Sequence, residues 1–422
     1  MSWDLDNTSE ATLFKVKYGK LQEKQFNEAN VLFARIRMKK NFTGKQFEQP
    51  VEQSIGGGVG SGSLPVASQS LQKTMTLTRK KIYAVVSIDR ESKKASATSE
   101  GAFVKFTKYP VKRTVDSFNH NLERAMTRGA IDGAGELIVG AAGNSNCSGV
   151  GSAGDPYVIE LDAAGYYPAH FEQIEEGHLL NVKSETTNLE VVAVSVTVSN
   201  GAATGSISLV GSSARLDVIG DTGTPAPFIA TDILYMQGSK DNEIVGLQGV
   251  LSATSGSIYG ITVGRRWQAY QKDASSAALS TDLMNNVVMN VKRQCGKAPN
   301  LILSSYHQIE KLLNILEDHK RYNLPARDAK FKGQISFSAI EFISPDGVIP
   351  VVASKFIDSD KMYFLNTDKI SLMLAIGGFE WFSDDGVVLL REATDSYEGR
   401  YGSYGQLDAN PHFQGYLHSL AL

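Results

Sequence analysis

Apolar residues spaced three and four apart define the longest helix that the sequence predicts. The chain breaks at Tyr109-Pro110, and proline suits the first turn of a helix. The apolar face that follows consists of Val111, Val115, Phe118, Leu122, Ala125 and Met126. Because this spacing continues to about Ile138, we expect one helix over residues 109–138. Residues 9–38 are also rich in helix formers, and they predict a short helical arm.

Between residues 44 and 90 the pattern changes to the alternation that is typical of strands. Met75 and Leu77 alternate with threonines, and the apolar residues that follow in the opposite phase are Ile82, Ala84, Val86 and Ile88. A reversal of phase indicates a bulge, or a strand that meets two different environments. Two arms of some 20 residues would form a ribbon about 60 Å long. Such a ribbon is marginally stable alone, so we expect it to lie on its own domain or on a neighbouring copy.

A glycine cluster, GGGVGSGS at residues 56–63, interrupts this extended region. A phosphate-binding loop would require Gly-Lys-Ser/Thr, which does not occur here. We therefore interpret the cluster as the flexible tip of a β hairpin.

Residues 157–251 predict a β domain inserted after the long helix. A Gly/Ser/Asn-rich stretch at 141–156 precedes it and is typical of a linker. Valines alternate with small polar residues from Val192 to Val198, and Asn200-Gly201 then gives a strong hairpin signal. We expect the strands of this domain to continue through residues 243–247.

The last third of the chain mixes both periodicities. Helical stripes occur at Leu283–Val291, where Gly296 ends the helix, and at Ile309–Leu316. Predicted strands cover residues 301–303, 339–343, 348–353, 362–365, 370–376 and 387–391. Because helices and strands interleave without a regular βαβ rhythm, the fold class is α+β rather than doubly wound.

Composition excludes several classes of protein. Apolar residues make up 42% of the chain and charged residues 21%, which excludes wholesale disorder. The net charge of -3 argues against a surface that attracts nucleic acid everywhere. Cys147 and Cys295 are too few for a disulfide scaffold, so we expect a reducing compartment. The polar start MSWDLDNTSE predicts no secretory signal, and the most apolar late stretch, residues 370–382, is too short for a membrane anchor.

The sequence offers little chemistry. The nucleophile motif G-x-S-x-G and the zinc motif H-E-x-x-H are absent. His307 with Glu310 is the nearest approach to a metal pair, but a solvated or capping histidine explains it better. The acidic pairs at 358–360 and 384–385 are first of all turn signals. We therefore expect no enzymatic activity, no cofactor and no metal, and two inert thiols.

One local charge excess is notable. The cations are Lys105, Lys108, Lys112, Arg113, Arg124 and Arg128, against Asp116 and Glu123. Cations near a helix N-terminus oppose the helix dipole unless something acidic faces them. Either carboxylates on neighbouring segments balance this charge, or it forms a basic surface that faces nucleic acid or another subunit.

Taken together, the order of elements resembles a known family. The stretches that carry the resemblance are 242–251 (NEIVGLQGVL), 257–261 (SIYGI) with Trp267, 299–306 (PNLILSSY), 342–352 (FISPDGVIPVV) and 362–366 (MYFLN). With the helical arm, the glycine-tipped hairpin and the long helix, they resemble the major capsid proteins of tailed double-stranded DNA bacteriophages, the Hong Kong phage-type fold. Each stretch is weak alone, but their order is fairly specific.

The resemblance implies a division of the chain. The expected parts are an N-terminal arm (1–43), an E-loop hairpin (44–90), a peripheral domain with the spine helix (91–145), an inserted β-rich domain (146–255), an axial domain (256–385) and a C-terminal strand returning to the peripheral domain (386–422).

The resemblance also implies a function. Such proteins assemble as hexamers and pentamers into an icosahedral shell that encloses double-stranded DNA, contacted non-specifically. The implied location is the virion, after assembly in the host cytoplasm, and the implied partners are further copies, a portal, and scaffold or decoration proteins. The implied intersubunit residues at the hairpin tip are Ile55, Gly58, Gly60, Leu64, Pro65 and Val66. The candidate basic surface of the spine consists of Lys108, Lys112, Arg113, Arg124 and Arg128.

The sequence departs from the family in two respects. The β domain is larger than the minimal fold requires, so we expect it to project from the shell or to brace it. No long acidic or coiled segment starts the chain, so a scaffold would be a separate protein or already removed. The isopeptide weld of some relatives is not carried over, because residues 55–72 contain no lysine and Lys73 is only the nearest candidate.

Two other hypotheses remain. A cellular nanocompartment shell shares this fold but encloses protein, so the DNA content of particles would separate it from a virus. A β-rich tail or surface structural protein would explain the 157–251 strands, and it predicts elongated or soluble oligomers.

Overall fold

The computed structural model describes twelve stretches of the chain, and the account below concerns these alone. They are residues 31–54, 71–89, 108–131, 133–139, 147–161, 165–182, 188–211, 232–319, 340–375, 378–381, 389–390 and 396–422. Among them, no helix combines the length and the apolar character needed to cross a membrane.

Helices and strands are both present, and strands predominate. The helices are α1 (Lys108–Arg128), α2 (Pro168–Phe171), α3 (Leu247–Ser252), α4 (Thr281–Cys295) and α5 (Tyr306–His319). The first strands are β1 (Arg37–Lys39), β2 (Gln46–Glu52), β3 (Gln72–Thr78), β4 (Lys80–Asp89), β5 (Glu136–Val139), β6 (Cys147–Ser148), β7 (Tyr157–Leu161), β8 (Leu179–Val182), β9 (Leu189–Ser199), β10 (Ala202–Val210) and β11 (Ile233–Met236).

The later strands are β12 (Ser257–Ile258), β13 (Ile261–Thr262), β14 (Tyr270–Asp273), β15 (Leu301–Ser304), β16 (Ile340–Ser344), β17 (Gly347–Ala353), β18 (Met362–Leu365), β19 (Ile370–Leu374), β20 (Glu380–Trp381), β21 (Leu389–Leu390), β22 (Ser396–Ala409) and β23 (Gly415–His418). This mixed, strand-rich architecture agrees with the α+β expectation.

The chain divides into two compact units. The described part of the first lies within Ala84–Ser117 and Trp381–Arg400. Within it, β21 pairs with the start of β22, and Val86 and Trp381 both pack closely on Gly399. The second unit consists of Asn30–Tyr83, Phe118–Glu380 and Tyr401–Leu422.

An antiparallel sheet of seven strands forms the β domain of the second unit, in the order β5-β11-β8-β9-β10-β7-β6. Its core includes Tyr157, Ile159, Leu180 and Leu234. The predicted turn at Asn200-Gly201 is confirmed, since both residues have positive φ, as a tight hairpin requires. Two expectations about its limits are wrong. Cys147–Ser148 is a paired strand rather than linker, and residues 243–247 lead into α3 instead of forming a strand.

A mixed sheet with α4 and α5 forms the last third of the chain. The strand order is β14-β23-β18-β15-β17-β16, and both predicted helices are confirmed. Ser280 caps α4 by accepting a hydrogen bond from the backbone N of Leu283, and Gly296 ends the helix with φ of 76°. Val287, Val288 and Val291 bury the apolar stripe of α4 against this sheet.

The predicted phase reversal in the ribbon marks a change of strand partner. β3 pairs with β2 from Gln46↔Thr78 to Glu52↔Gln72. After the single residue Arg79, β4 pairs with β22 instead. The C-terminal arm therefore ends at Thr78, and each described arm spans only about 23 Å. Met75 and Leu77 are buried against the chain's own body, so the base of the hairpin needs no neighbouring copy.

The long helix is shorter than its apolar spacing predicts. It ends at Arg128, because Gly129 approaches the backbone of Gly246 too closely for any residue with a Cβ atom. Ile138 lies instead in β5, opposite Leu234. The helical arm expected over residues 9–38 lies largely outside the described residues, and where it is described, at 31–39, the chain forms a turn and β1.

Candidate functional site

The C-terminal half of α1 is the place where distant parts of the second unit are tied together. Its buried polar side chains each face a different segment: 31–36, 166–178, 243–246 and 354–361. We call this region the α1 junction.

Glu123 ties the start of the described chain to α1. Its side chain is completely buried and accepts hydrogen bonds from the backbone N atoms of Leu32 (2.7 Å) and Phe33 (2.8 Å). Burial raises the pKa of this carboxyl, and the two N–H donors partly oppose that shift. The Phe33 ring packs on Phe379, which also meets Phe118 of α1 edge to face. The start of the described chain, residues 31–36, is therefore anchored to α1.

Arg124 ties the loop before α3 to the same helix. Its guanidinium forms two hydrogen bonds with the carboxylate of Glu243, and the Arg124 side chain is only 4% exposed. Because the guanidinium and the carboxylate meet at two points, the pair fixes both the distance and the orientation of the Glu243 loop relative to α1. The neighbouring Lys80 ammonium donates to the backbone O of Asp241 (2.6 Å), which brings the start of β4 to this loop.

Arg128 ties the segment between β17 and β18 to α1. It pairs with Asp358, which also accepts a hydrogen bond from Lys361 at 2.6 Å. Burial opposes ionisation of Asp358, but the two cations outweigh it and hold the pKa of this carboxyl well below its usual range. Burial and the Asp358 charge instead raise the pKa of Asp360. Asp358 is thus an ion-pair anchor for this segment.

Only some of the cations assigned to the predicted basic surface are exposed to solvent. Arg124 and Arg128 are buried and paired, so their assignment to an exposed basic patch is wrong, and the alternative of carboxylates on neighbouring segments is correct for them. In the first unit, Lys112 and Arg113 are exposed and have no ion pair among the described residues. Lys108 is the first residue of α1.

Three histidines lie at the α1 junction: His120 on α1 itself, and His170 and His178 on the facing segment 166–178. Burial first, and then neighbouring cations, lowers the pKa of His120 and of His170 from 6.5 to about 3. The same causes lower the pKa of His178 to about 4. All three are therefore neutral at pH 7.

The implied intersubunit residues at the hairpin tip, Ile55, Gly58, Gly60, Leu64, Pro65 and Val66, lie outside the described residues. At the described base, Glu48, Pro50 and Glu52 share the exposed face of β2. Carboxylates and a proline on an edge strand disfavour uncontrolled pairing with other chains. In the sheet of the last third of the chain, the hairpin of β16 and β17 exposes an apolar cross-strand pair, Ile343 and Val348.

A groove of about 530 Å³ lies between the β9–β10 turn and the start of α5. The ring of His307 lies so close to Gly201 that a Cβ atom there would be 2.6 Å from it. His307 therefore contributes packing between the β domain and α5. Among the described residues, no group of three or more His, Cys, Asp or Glu side chains could hold a metal ion.

The two thiols also lack catalytic features. Cys147 is buried in the core of the seven-stranded sheet. The Sγ atom of Cys295 donates to the backbone O of Val291 and of Lys297, and burial raises the pKa of this thiol. A raised pKa leaves little thiolate at pH 7, which disfavours a nucleophilic role.

Comparisons with known proteins were made for both sequence and fold. The family model of the SU10 major capsid protein matches residues 231–383. No curated protein matches the sequence. The capsid asymmetric unit of cyanophage A-1(L) superposes with a TM-score of 0.59 at 13% identity, covering 99% of this chain and 100% of that one.

Two further similar structures have lower scores. The capsid of the native GTA particle gives a TM-score of 0.49 at 8% identity, covering 99% of each chain. The holo-SrpI encapsulin complex of Synechococcus elongatus PCC 7942 gives 0.46 at 6% identity, covering 99% of this chain and 96% of that one.

The family match begins just before β11 and covers all the stretches, from 242–251 to 362–366, that carry the resemblance in the sequence. The fold match extends over nearly all of both chains. The resemblance drawn from the sequence is therefore confirmed: the chain is similar to the major capsid proteins of tailed phages, in sequence over residues 231–383 and in fold over nearly its whole length.

Proposed function

We propose that this chain is a structural virion protein that assembles as hexamers and pentamers into an icosahedral shell around double-stranded DNA. The observation that carries the proposal is the fold match to the cyanophage A-1(L) capsid asymmetric unit, which leaves almost no part of either chain unmatched. The family match over residues 231–383 supports it independently.

The proposed division of labour follows the expected domains. Residues 1–43 act as the N-terminal arm, 44–90 as the E-loop, 91–145 as the peripheral domain with its spine helix, and 256–385 as the axial domain. Residues 386–422 return to the peripheral domain. The β-rich domain at 146–255 acts as a brace, because its β9–β10 turn packs on His307 of α5 and its 166–178 segment packs on the α1 junction.

A shell subunit works through many weak contacts rather than through an active site. If each copy buries about 1,600 Å² against each of several neighbours, the closed shell is far more stable than any pair. Lys112 and Arg113 are the exposed cations available for a non-specific contact with DNA or with another subunit. The proposed partners are a portal and scaffold or decoration proteins.

Negative-stain electron microscopy of the overexpressed full-length chain tests the proposal directly. Closed shells with icosahedral outlines are the expected result. Elongated oligomers or a lone monomer at every concentration and salt would contradict it. Particles from infected cells should contain nuclease-protected DNA, whereas protein cargo in its place would indicate a nanocompartment shell.

A further inference from the structure

Three histidine side chains lie where the seven-stranded sheet packs on α1, and within the described part of the chain one of them has an unpartnered ring nitrogen. His120 lies on α1, while His170 and His178 lie on the 166–178 segment that connects β7 to β8. We call these three residues the histidine junction. The Nε2 atom of His120 is buried and has no hydrogen-bond partner among the described residues.

Cations surround His120 on two sides. Lys355 comes from the segment between β17 and β18, and Arg124 comes from α1 itself. The opposing carboxylate is Glu175, whose Oε1 atom lies 3.9 Å from Nε2 and whose side chain is 41% exposed. The carboxylates that face Lys355 are Glu172, Glu175 and Glu123, so a charged His120 would compete with Lys355 for Glu175.

His170 and His178 have their acceptor atoms already committed. Nδ1 of His170 accepts from the backbone N of Tyr167 (2.9 Å), and Nδ1 of His178 accepts from the backbone N of Glu175 (3.2 Å). A second proton on either ring would turn these acceptors into donors facing donors. Arg128, Lys361 and Asp358 face His170, and Arg124 faces His178.

We propose that the histidine junction is an acid-sensitive latch, whose protonation releases the seven-stranded sheet from α1 while the α4 and α5 region stays folded. The inference stands apart from shell assembly, because every contact in it lies within one chain. No ligand or partner is needed for the release.

The direction of the effect follows from proton linkage. A histidine in the open state takes up its proton near pH 6.5, whereas the closed junction resists protonation down to about pH 3 or 4. Stability of the closed state is therefore complete above pH 6.5 and is lost as the pH falls. Each histidine raises the opening equilibrium by about tenfold per pH unit in that window. Burial raises the pKa values of Asp360 and Glu123, so these carboxyls take up protons more readily in the closed state and partly offset the effect of the histidines as the pH falls.

Amide hydrogen exchange on the full-length chain at several pH values from 7.5 to 5 tests the latch, after correction for intrinsic exchange. Below pH 6.5, the opening equilibrium measured at the amides of β8 should rise by well over tenfold per pH unit. The amides of α4 should stay protected over the same range. His178→Asn keeps an acceptor oxygen near the position of Nδ1. It should reduce the number of protons taken up on opening, given by the slope against pH, by about one. His170→Asn and His120→Gln should each remove about one more, and His418→Asn, at the end of β23, serves as the matched control.

Two results would overturn the proposal. One is an unchanged pH dependence of β8 exchange in the triple variant. The other is loss of α4 protection in parallel with β8, which would mean global unfolding rather than local release. If His120→Gln does not fold at pH 7.5, the His178→Asn variant alone decides the question, since an unaltered slope there contradicts the latch.

Discussion

The Arg128 guanidinium pairs with the Asp358 carboxylate across 230 residues of sequence, and both side chains are almost completely buried. Lys361 donates to the other oxygen of Asp358, so one carboxylate holds two cations. The helix and the segment between β17 and β18 therefore depend on each other for charge balance.

Replacing Asp358 with alanine should be strongly destabilising. The change leaves Arg128 and Lys361 without their shared counter-ion inside the protein, which costs about 3–5 kcal/mol. We expect a correspondingly lower urea midpoint, followed by tryptophan fluorescence, to which the buried Trp267 contributes. The matched control is Asp368→Ala, which removes the exposed pair with Arg37 and should cost less than about 1 kcal/mol. Equal losses from both changes would contradict the role given to Asp358.

Glu123→Ala should loosen the start of the described chain. The backbone N–H groups of Leu32 and Phe33 lose their acceptor, at about 1–3 kcal/mol for each group left buried and unsatisfied. Faster hydrogen exchange at residues 31–36, with lower thermal stability, is the expected result. Glu48→Ala, on the exposed face of β2, should change stability by less than about 0.5 kcal/mol. Unchanged exchange at residues 31–36 would mean that the aromatic contacts alone hold this segment.

Gly201→Ala should weaken the packing of the β9–β10 turn on α5. Alanine at a φ of 79° is strained by about 1–2 kcal/mol, and its Cβ would also collide with the His307 ring. Gly296→Ala is the control for strain alone, since nothing lies within 4 Å of a Cβ there and φ is 76°. The difference between the two variants measures the collision, and His307→Ala should remove that difference.

Reversing the charge of Lys112 and Arg113 together should impair shell assembly or DNA packaging without unfolding the chain. Exposed side chains with no described ion pair contribute little to stability, so the melting temperature should remain within a few degrees. Particle yield by sedimentation and DNA content per particle are the measurements. Arg293→Glu with Lys297→Glu, on an exposed helix end, provides a control of equal charge change. Identical yield and DNA content in both variants would contradict a functional basic surface.

The periodicity of apolar residues correctly predicted the elements that are formed by contacts between residues close in sequence. The helices at 281–295 and 306–319 each follow from an apolar stripe and a serine at the N-terminus, and Gly296 ends the first of them, all readable within one segment. The strands at 340–344 and 347–353 follow from β-branched residues around an Asp-Gly turn. For these parts the sequence signal and the fold coincide because neighbours along the chain are also neighbours in space.

The remaining features depend on contacts that no local pattern encodes. α1 ends at Arg128, and the next residue, Gly129, lies against the backbone of Gly246, more than a hundred residues later. The apolar alternation reverses at Arg79 because β3 and β4 have different partners. The sequence did show an excess of cations on the helix, but the burial of Arg124 and Arg128 depends on carboxylates 119 and 230 residues away. The junction residue Glu123 carried no sequence signal beyond a negative charge among positive ones.

The single residue between β3 and β4 also determines how the hairpin transmits force. Arg79 stacks over the Tyr404 ring of β22, and β4 then runs along that same strand. A pull on the hairpin along its length is therefore passed through Arg79 to the β4–β22 pairing, and we expect that pairing to carry part of the load.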